Sequence, residues 1–167
     1  MRALIRREVP LDVPASVAWD YVTDWPAQSE WVPHTRVEHV DPAAPAVGVG
    51  GRLRAWSGLG PVGFWDTMTI TSWERTPDGG GRCEVLHTGT VVRGEGEFEV
   101  VADGPDRCRF LWSEMAVVPA GRVGALGWRL VRPVVERLLD QGLATLQARL
   151  EGPRRTTPDR TAGSAPD

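Results

Sequence analysis

The chain of 167 residues has no lysine and no asparagine; all 19 of its basic residues are arginine. Without lysine, no Schiff base can form on a side-chain amine, so that branch of covalent catalysis is closed. An arginine-only, asparagine-free composition is what GC-rich coding produces, as in an actinobacterium. Thiols are scarce too: Cys83 and Cys108 are the two cysteines. They form neither a CxxC pair nor a Cys/His spacing of the zinc-ligand kind, so no metal is expected. No apolar run approaches the roughly 18 residues of a membrane span. The opening MRALIRREVPLDVP is charged within its first turns and lacks the apolar core and cleavage site of a secretory signal. The expectation is a cytoplasmic protein with no integral membrane segment and with reduced, core-type thiols. Net charge is −3 with both signs spread along the chain. No basic stripe marks a nucleic-acid partner. G-x-S-x-G and P-loop motifs are absent, which disfavours acyl transfer through a covalent intermediate.

What is present is one domain's worth of alternating and helical patterns. Residues 2–9 read as a strand. VPASVAWDYVTD reads as a helix, with Pro14 suited to its first turn and apolar i, i+4 pairs at Val17/Tyr21 and Ala18/Val22. Asp24 and Pro26 open a second short helix, which Pro33 stops. After a short strand, TRVEHV, and the loop DPAAPAVGVGG come five alternating segments at 52–57, 64–74, 82–88, 93–102 and 107–117. They are separated by GLGPVG, TPDGGG, GTVV and DGPD, connections short enough to make antiparallel neighbours. From Gly121 to Leu150 the period turns helical, with Val123, Leu126, Leu130, Val134, Leu138 and Leu146 marking an apolar face and Pro133 inside it. Residues 151–167 have almost no large apolar side chain and read as a disordered tail after a domain of residues 1–150. The predicted class is α+β, with one long helix across a curved antiparallel sheet of about seven strands.

Several of these segments resemble one superfamily. VPASVAWDYVTDWPAQSEWVP, with P-x-x-V-x-W at Pro14, Val17 and Trp19 and then Trp31 and Pro33, is similar to the opening of START-like, helix-grip (SRPBCC) proteins. DTMTITSWERTP, GEGEF and RFLWSE sit where that superfamily has its central strands. It includes the Bet v 1-like, polyketide cyclase/dehydrase and lipid-transport proteins. The resemblance covers about residues 1–150. It implies a helix-grip fold with two short helices after strand 1. It also implies a cavity between the last helix and the sheet that takes a hydrophobic small molecule. Binders, lipid carriers, cyclases, aromatases and regulatory partners all share that fold, so fold alone does not choose among them.

Period-two alternation sorts the strands into faces. The more apolar faces carry Asp66, Met68 and Ile70; Cys83, Val85 and His87; Gly94, Gly96, Phe98 and Val100; and Cys108, Phe110, Trp112 and Glu114. Three ionisable groups therefore point inward: Asp66, His87 and Glu114. In a meander alternate turns share one end, so each of the three falls beside the same mouth, provided no bulge shifts a strand. Cys83 and Cys108 lie two strands apart, about 9–10 Å, beyond disulfide reach. Each inward group has two readings. His87 is either a base or ligand handle, or a core imidazole bonded to a carbonyl. Asp66 either orients it or pairs with an arginine. Glu114 is either an acid with a raised pKa or a solvated rim carboxylate. His34 and His39 belong to the surface. The expected cavity contacts are Trp31, Met68, Val85, Gly94, Gly96, Phe98 and Trp112 from the sheet side, and Leu126, Leu130 and Val134 from the helix.

RGEGEFEV (93–100) has the look of a nucleotide loop or a carboxylate cluster and fits neither. A strand runs through it, and spacing two sets Glu95, Glu97 and Glu99 in a row on the outer face. Gly94 and Gly96 instead empty the concave face beside His87. Three functions remain open: a carrier of a hydrophobic or aromatic, lipid- or polyketide-like molecule; a cofactor-free cyclase or dehydratase with His87 as general base, Asp66 orienting it and Glu114 as acid; or a non-enzymatic interaction module using the outer sheet face.

Overall fold

The computed structural model describes residues 1–118 and 121–152, without the side chain of Arg122. Most of the expected tail, residues 153–167, lies outside the described residues. The elements are β1 (Arg2–Leu11), α1 (Ala15–Val22), a 3-10 turn (Pro26–Glu30), β2 (Thr35–His39), β3 (Arg52–Leu59), β4 (Val62–Arg75), β5 (Gly81–His87), β6 (Gly94–Ala102), β7 (Cys108–Val117) and α2 (Gly121–Glu151). The seven strands form one sheet in the order β1-β7-β6-β5-β4-β3-β2. Every neighbouring pair is antiparallel. β3 to β7 are the meander that the short turns dictate, and β1 closes on β7 with Ile5 opposite Glu114.

A register shift between Ile70 and Ser72 interrupts the β4–β5 ladder. Beyond it Trp73 pairs with Cys83 and meets Trp19 edge-on, with ring centres 5.2 Å apart. Before it, Met68 still pairs with His87. The bulge therefore re-aims the far end of β4 for core packing and leaves the Asp66 end in register.

Helix α2 packs unevenly. Its C-terminal half buries Leu139, Leu143 and Leu146, each worth about 1.5–3 kcal/mol of transfer free energy. Gln147 Nε2 donates to the Pro10 carbonyl at 3.0 Å, and Arg7 Nε donates to Asp140 at 2.7 Å. A Cβ on Gly142 would lie 3.2 Å from the Trp31 carbonyl oxygen, so the helix comes close to the 31–33 segment there. The helix continues through Pro133. Its N-terminal half stands over a hollow rather than on the sheet.

Candidate active site and cavity

That hollow is a cavity of about 870 Å³. Its walls are the concave face of β3–β7, the 32–35 segment and one side of α2, and the lining is overwhelmingly apolar. Met68, Val85, Gly96, Phe98 and Trp112 line it. Trp31 does not line this cavity. It is 1% exposed and closes an aromatic cluster with Phe98, Phe110 and Trp112 behind the wall. Gly94 is not in the wall either. Its φ of 139° and the collision a Cβ would make with the Met115 carbonyl show a backbone need for glycine, where β6 begins against β7.

The helix contacts need a larger correction. Leu126, Leu130 and Val134 are 61%, 74% and 59% exposed and point away from the cavity. Trp128, Val131, Val135, Leu138 and Leu139 line it instead. Residues 121–135 are apolar around most of the helix, so two stripes at spacings of three and four compete. The choice is made by Leu139, Leu143 and Leu146, whose burial fixes the rotation of the whole helix.

The three inward ionisable groups meet at one end of the cavity. His87 Nδ1 lies 2.6 Å from Asp66 Oδ2, and His87 Nε2 lies 3.2 Å from Glu114 Oε2. The second contact is within ion-pair range but off line for a hydrogen bond, which leaves Nε2 without a hydrogen-bond partner. Asp66 and His87 side chains are each 8% exposed, Glu114 26%. Trp112 Nε1 donates to Glu114 Oε1 at 2.7 Å and fixes that carboxylate. The other Asp66 oxygen, Oδ1, is buried without a partner.

The strand register explains the meeting. Asp66 and Met68 are successive inward residues of β4, and Met68 pairs with His87 on β5. Val85 pairs with Gly96 on β6, and Gly96 pairs with Glu114 on β7. His87 and Glu114 thus belong to strands separated by β6, about 9–10 Å apart. They touch because Gly96 puts nothing between them. A Cβ there would lie 2.9 Å from His87 Nε2, 3.0 Å from Val85 Cγ2 and 3.2 Å from Glu114 Oε1.

Burial alone would lower the His87 pKa, but the hydrogen bond to Asp66 and the pairing with Glu114 outweigh it and push it up to about 10. Geometry gives the same sign. With Nδ1–H donated to Asp66, a neutral ring would set the Nε2 lone pair against a carboxylate oxygen; a protonated Nε2 turns that repulsion into attraction. Both distances favour an imidazolium between two carboxylate positions. Neither ring nitrogen then offers a lone pair to a metal. Among the described residues no group of three or more His, Cys, Asp or Glu side chains could hold a metal ion.

Both thiols are free and buried. Burial, with Glu84 adding to it, pushes Cys83 up to about 12, and burial pushes Cys108 up to about 11. Neither is a nucleophile near neutral pH. The glutamates of RGEGEFEV face outward: Glu97 pairs with Arg82 and Glu99 approaches Arg6. Of the other histidines, His39 bonds the Pro45 carbonyl. His34, exposed and at φ 57°, stands at the cavity edge, which nothing in the sequence signals.

A curved antiparallel sheet gripping a long C-terminal helix over an apolar cavity defines the START-like, helix-grip class. Within it, residues 2–151 match the model of the polyketide cyclase/dehydrase and lipid transport family, and the chain belongs to that family. No curated protein matches. Among solved structures, the chain is similar to the ZhuI aromatase/cyclase of a Streptomyces species, at 17% identity and TM-score 0.69, covering 90% of this chain and 94% of that one. It is also similar to a Thermus thermophilus protein, at 17% identity and TM-score 0.71, covering 89% and 97%. A norcoclaurine synthase of Thalictrum, solved with a transition-state analogue, shares 14% identity at TM-score 0.57, covering 89% and 96%. At such identities the likeness is one of fold. No helix among the described residues is long and apolar enough to cross a membrane.

Proposed function

We propose that this protein binds one hydrophobic or aromatic small molecule, lipid- or polyketide-like, with its apolar body in the cavity and an oxygen at the Asp66–His87–Glu114 end. The observation that carries this reading is a mostly apolar hollow of about 870 Å³ with Asp66, His87 and Glu114 together in its wall. Pockets of roughly 300–1,000 Å³ lined in this way are the usual form of small-molecule sites. Met68, Val85, Phe98, Trp112, Trp128 and Val135 supply contact area, and Gly96 leaves the notch in which the ligand oxygen meets His87. The test is displacement of 1-anilinonaphthalene-8-sulfonate by long-chain and polycyclic aromatic ketones, with native mass spectrometry of the purified protein. Saturable one-to-one displacement supports the reading. Failure of every lipophilic compound to bind rejects it.

A second reading, a cofactor-free cyclase or dehydratase, is favoured by the contact between His87 and Glu114. It reverses the roles expected from sequence, because a protonated His87 is an acid at rest. Glu114 takes a proton from the carbon next to a ligand carbonyl. The electron pair left behind forms the carbon–carbon double bond as the β-hydroxyl departs. His87 Nε2–H protonates that oxygen, so the leaving group is water. The proton now on Glu114 crosses to Nε2, 3.2 Å away, and the resting state returns. Asp66 stabilises the cation and orients the ring; Trp112 holds Glu114. Each of Glu114→Gln and His87→Gln should lower turnover of a β-hydroxy ketone by 10²-fold or more while both still displace the dye. Unchanged turnover in either variant would remove that residue from the chemistry.

A further inference from the structure

We propose that the mouth of the cavity and the outer ridge of α2 form a docking surface for an anionic lipid bilayer. The first observation is exposed apolar area gathered at one end. The β3–β4 tip carries Leu59 and Val62, 67% and 76% exposed, and the loop before β6 carries Val91, 62% exposed. All three also line the cavity, so they are its lip. On the outer side of α2 runs the ridge Val123, Leu126, Leu130 and Val134, with Val123 77% exposed. Val131 joins lip to ridge, being both half exposed and part of the cavity wall. Isolated exposed leucines are ordinary, but a contiguous set around an opening marks an interaction site.

The second observation is charge. The chain has 22 acidic residues and a net charge of −3, yet residues 57–64, 88–93 and 115–135 contain none of them. The same segments carry four arginines. Among the described residues, Arg93 makes no ion pair and bonds a carbonyl, Gly89. Among the same residues Arg129 has no ion-pair or hydrogen-bond partner, and Arg132 pairs with Glu136 one turn on, at 2.7 Å. Acidic residues return to the helix at Glu136 and Asp140, where it is packed on β1 through Arg7.

An apolar ridge with Arg93 and Arg129 outside any ion pair, and with acidic residues returning only from Glu136 on, has the composition of a helix that lies in a bilayer interface. Helix α2 is not long and apolar enough to cross a membrane, so it would lie along the surface. Shape separates this occupant from an acidic protein. The surface is a convex helix back and a hairpin tip, which need a matching groove in a protein partner but only displaced headgroups in a bilayer. Docked in this way, the opening faces the acyl region and an apolar ligand need not cross water.

The experiment is co-sedimentation of the full chain with vesicles of phosphatidylcholine alone and of phosphatidylcholine with 30% phosphatidylglycerol as the probe. Binding is expected to the anionic vesicles and to fall between 0.05 and 0.5 M salt, since exposed charges are screened over about 8 Å at 0.15 M. Arg93→Gln and Arg129→Gln should each weaken partitioning about fivefold. Leu130→Glu should abolish it, and Val17→Glu, on α1 away from the mouth, should leave it unchanged. Dye displacement by each variant shows that the cavity is intact. Equal binding to both vesicle types, or wild-type binding by Leu130→Glu, overturns the proposal. So does a concentration-dependent dimer that Leu130→Glu dissolves, because the ridge would then be covered by a second copy.

Discussion

The charge of His87 decides what the site can do, and it can be measured. An unfolded imidazole titrates near 6.5, and in the folded chain His87 is pushed up to about 10. The difference corresponds to about 5 kcal/mol of net preference for the protonated form, the attraction of the two carboxylates less the cost of burying the charge. Because the folded pKa lies above the unfolded one, this stabilisation is fully present below pH 6.5. Between pH 6.5 and 10 the native state holds one proton more than the unfolded state, so stability falls by up to about 1.4 kcal/mol per pH unit. It is lost by pH 10. The perturbation is His87→Gln, which removes the titration. Urea unfolding of both proteins at intervals from pH 6 to 10 should give a stability gap that is flat at pH 6 and closes steadily. In the folded chain burial keeps both thiols largely protonated over that range, and their titration in the unfolded chain at about pH 8.5 is common to both proteins and cancels in the gap. The imidazole carbon resonances of His87 give the same quantity directly. In Asp66→Asn the His87 resonance should titrate at distinctly lower pH. If His87 titrates near 6.5 in the native protein, the ion triad does not exist, the assignment of His87 as proton donor fails, and a base role returns.

Gly96→Val should fill the notch between His87 and Glu114. It is expected to cost about 1–3 kcal/mol through overpacking, to lower the His87 pKa by parting it from Glu114, and to weaken ligand displacement of the dye at least tenfold. A normal ligand affinity would show that the ligand does not use the notch. Leu146→Ala, at a side chain with 0% exposure, should destabilise by about 2–5 kcal/mol. Leu130→Ala, 74% exposed, should change stability by no more than about 0.5 kcal/mol; comparable losses in denaturant midpoint would mean that α2 is rotated from its described position. Ellman's reagent should find no reactive thiol in the native protein at pH 7.5 and two after unfolding.

The strands were legible because a period of two leaves one choice, which face is inward, and the apolar residues make it. Asp66, His87 and Glu114 fall on that face by counting. The bulge that could have spoiled the count sits past Ile70, on the other side of Met68 from Asp66. The helix was less legible because its first half is apolar on both sides. The stripe through Val123, Leu126, Leu130 and Val134 is as regular as the buried one. Only contacts made two turns later, by Leu143 and Leu146, decide between them. Trp31 shows the related limit: alternation and composition place an aromatic near the core but not on which side of the cavity wall it lies. The protonation of His87 was the least legible property. It depends on two distances across three strands, and the 3.2 Å contact with Glu114 exists only because residue 96 has no side chain. A glycine that the sequence offers as empty space therefore also permits the contact that raises the His87 pKa. The proposed ligand space and the proposed proton donor that would meet it depend on the same missing atom, so a variant that fills the notch should lose both together.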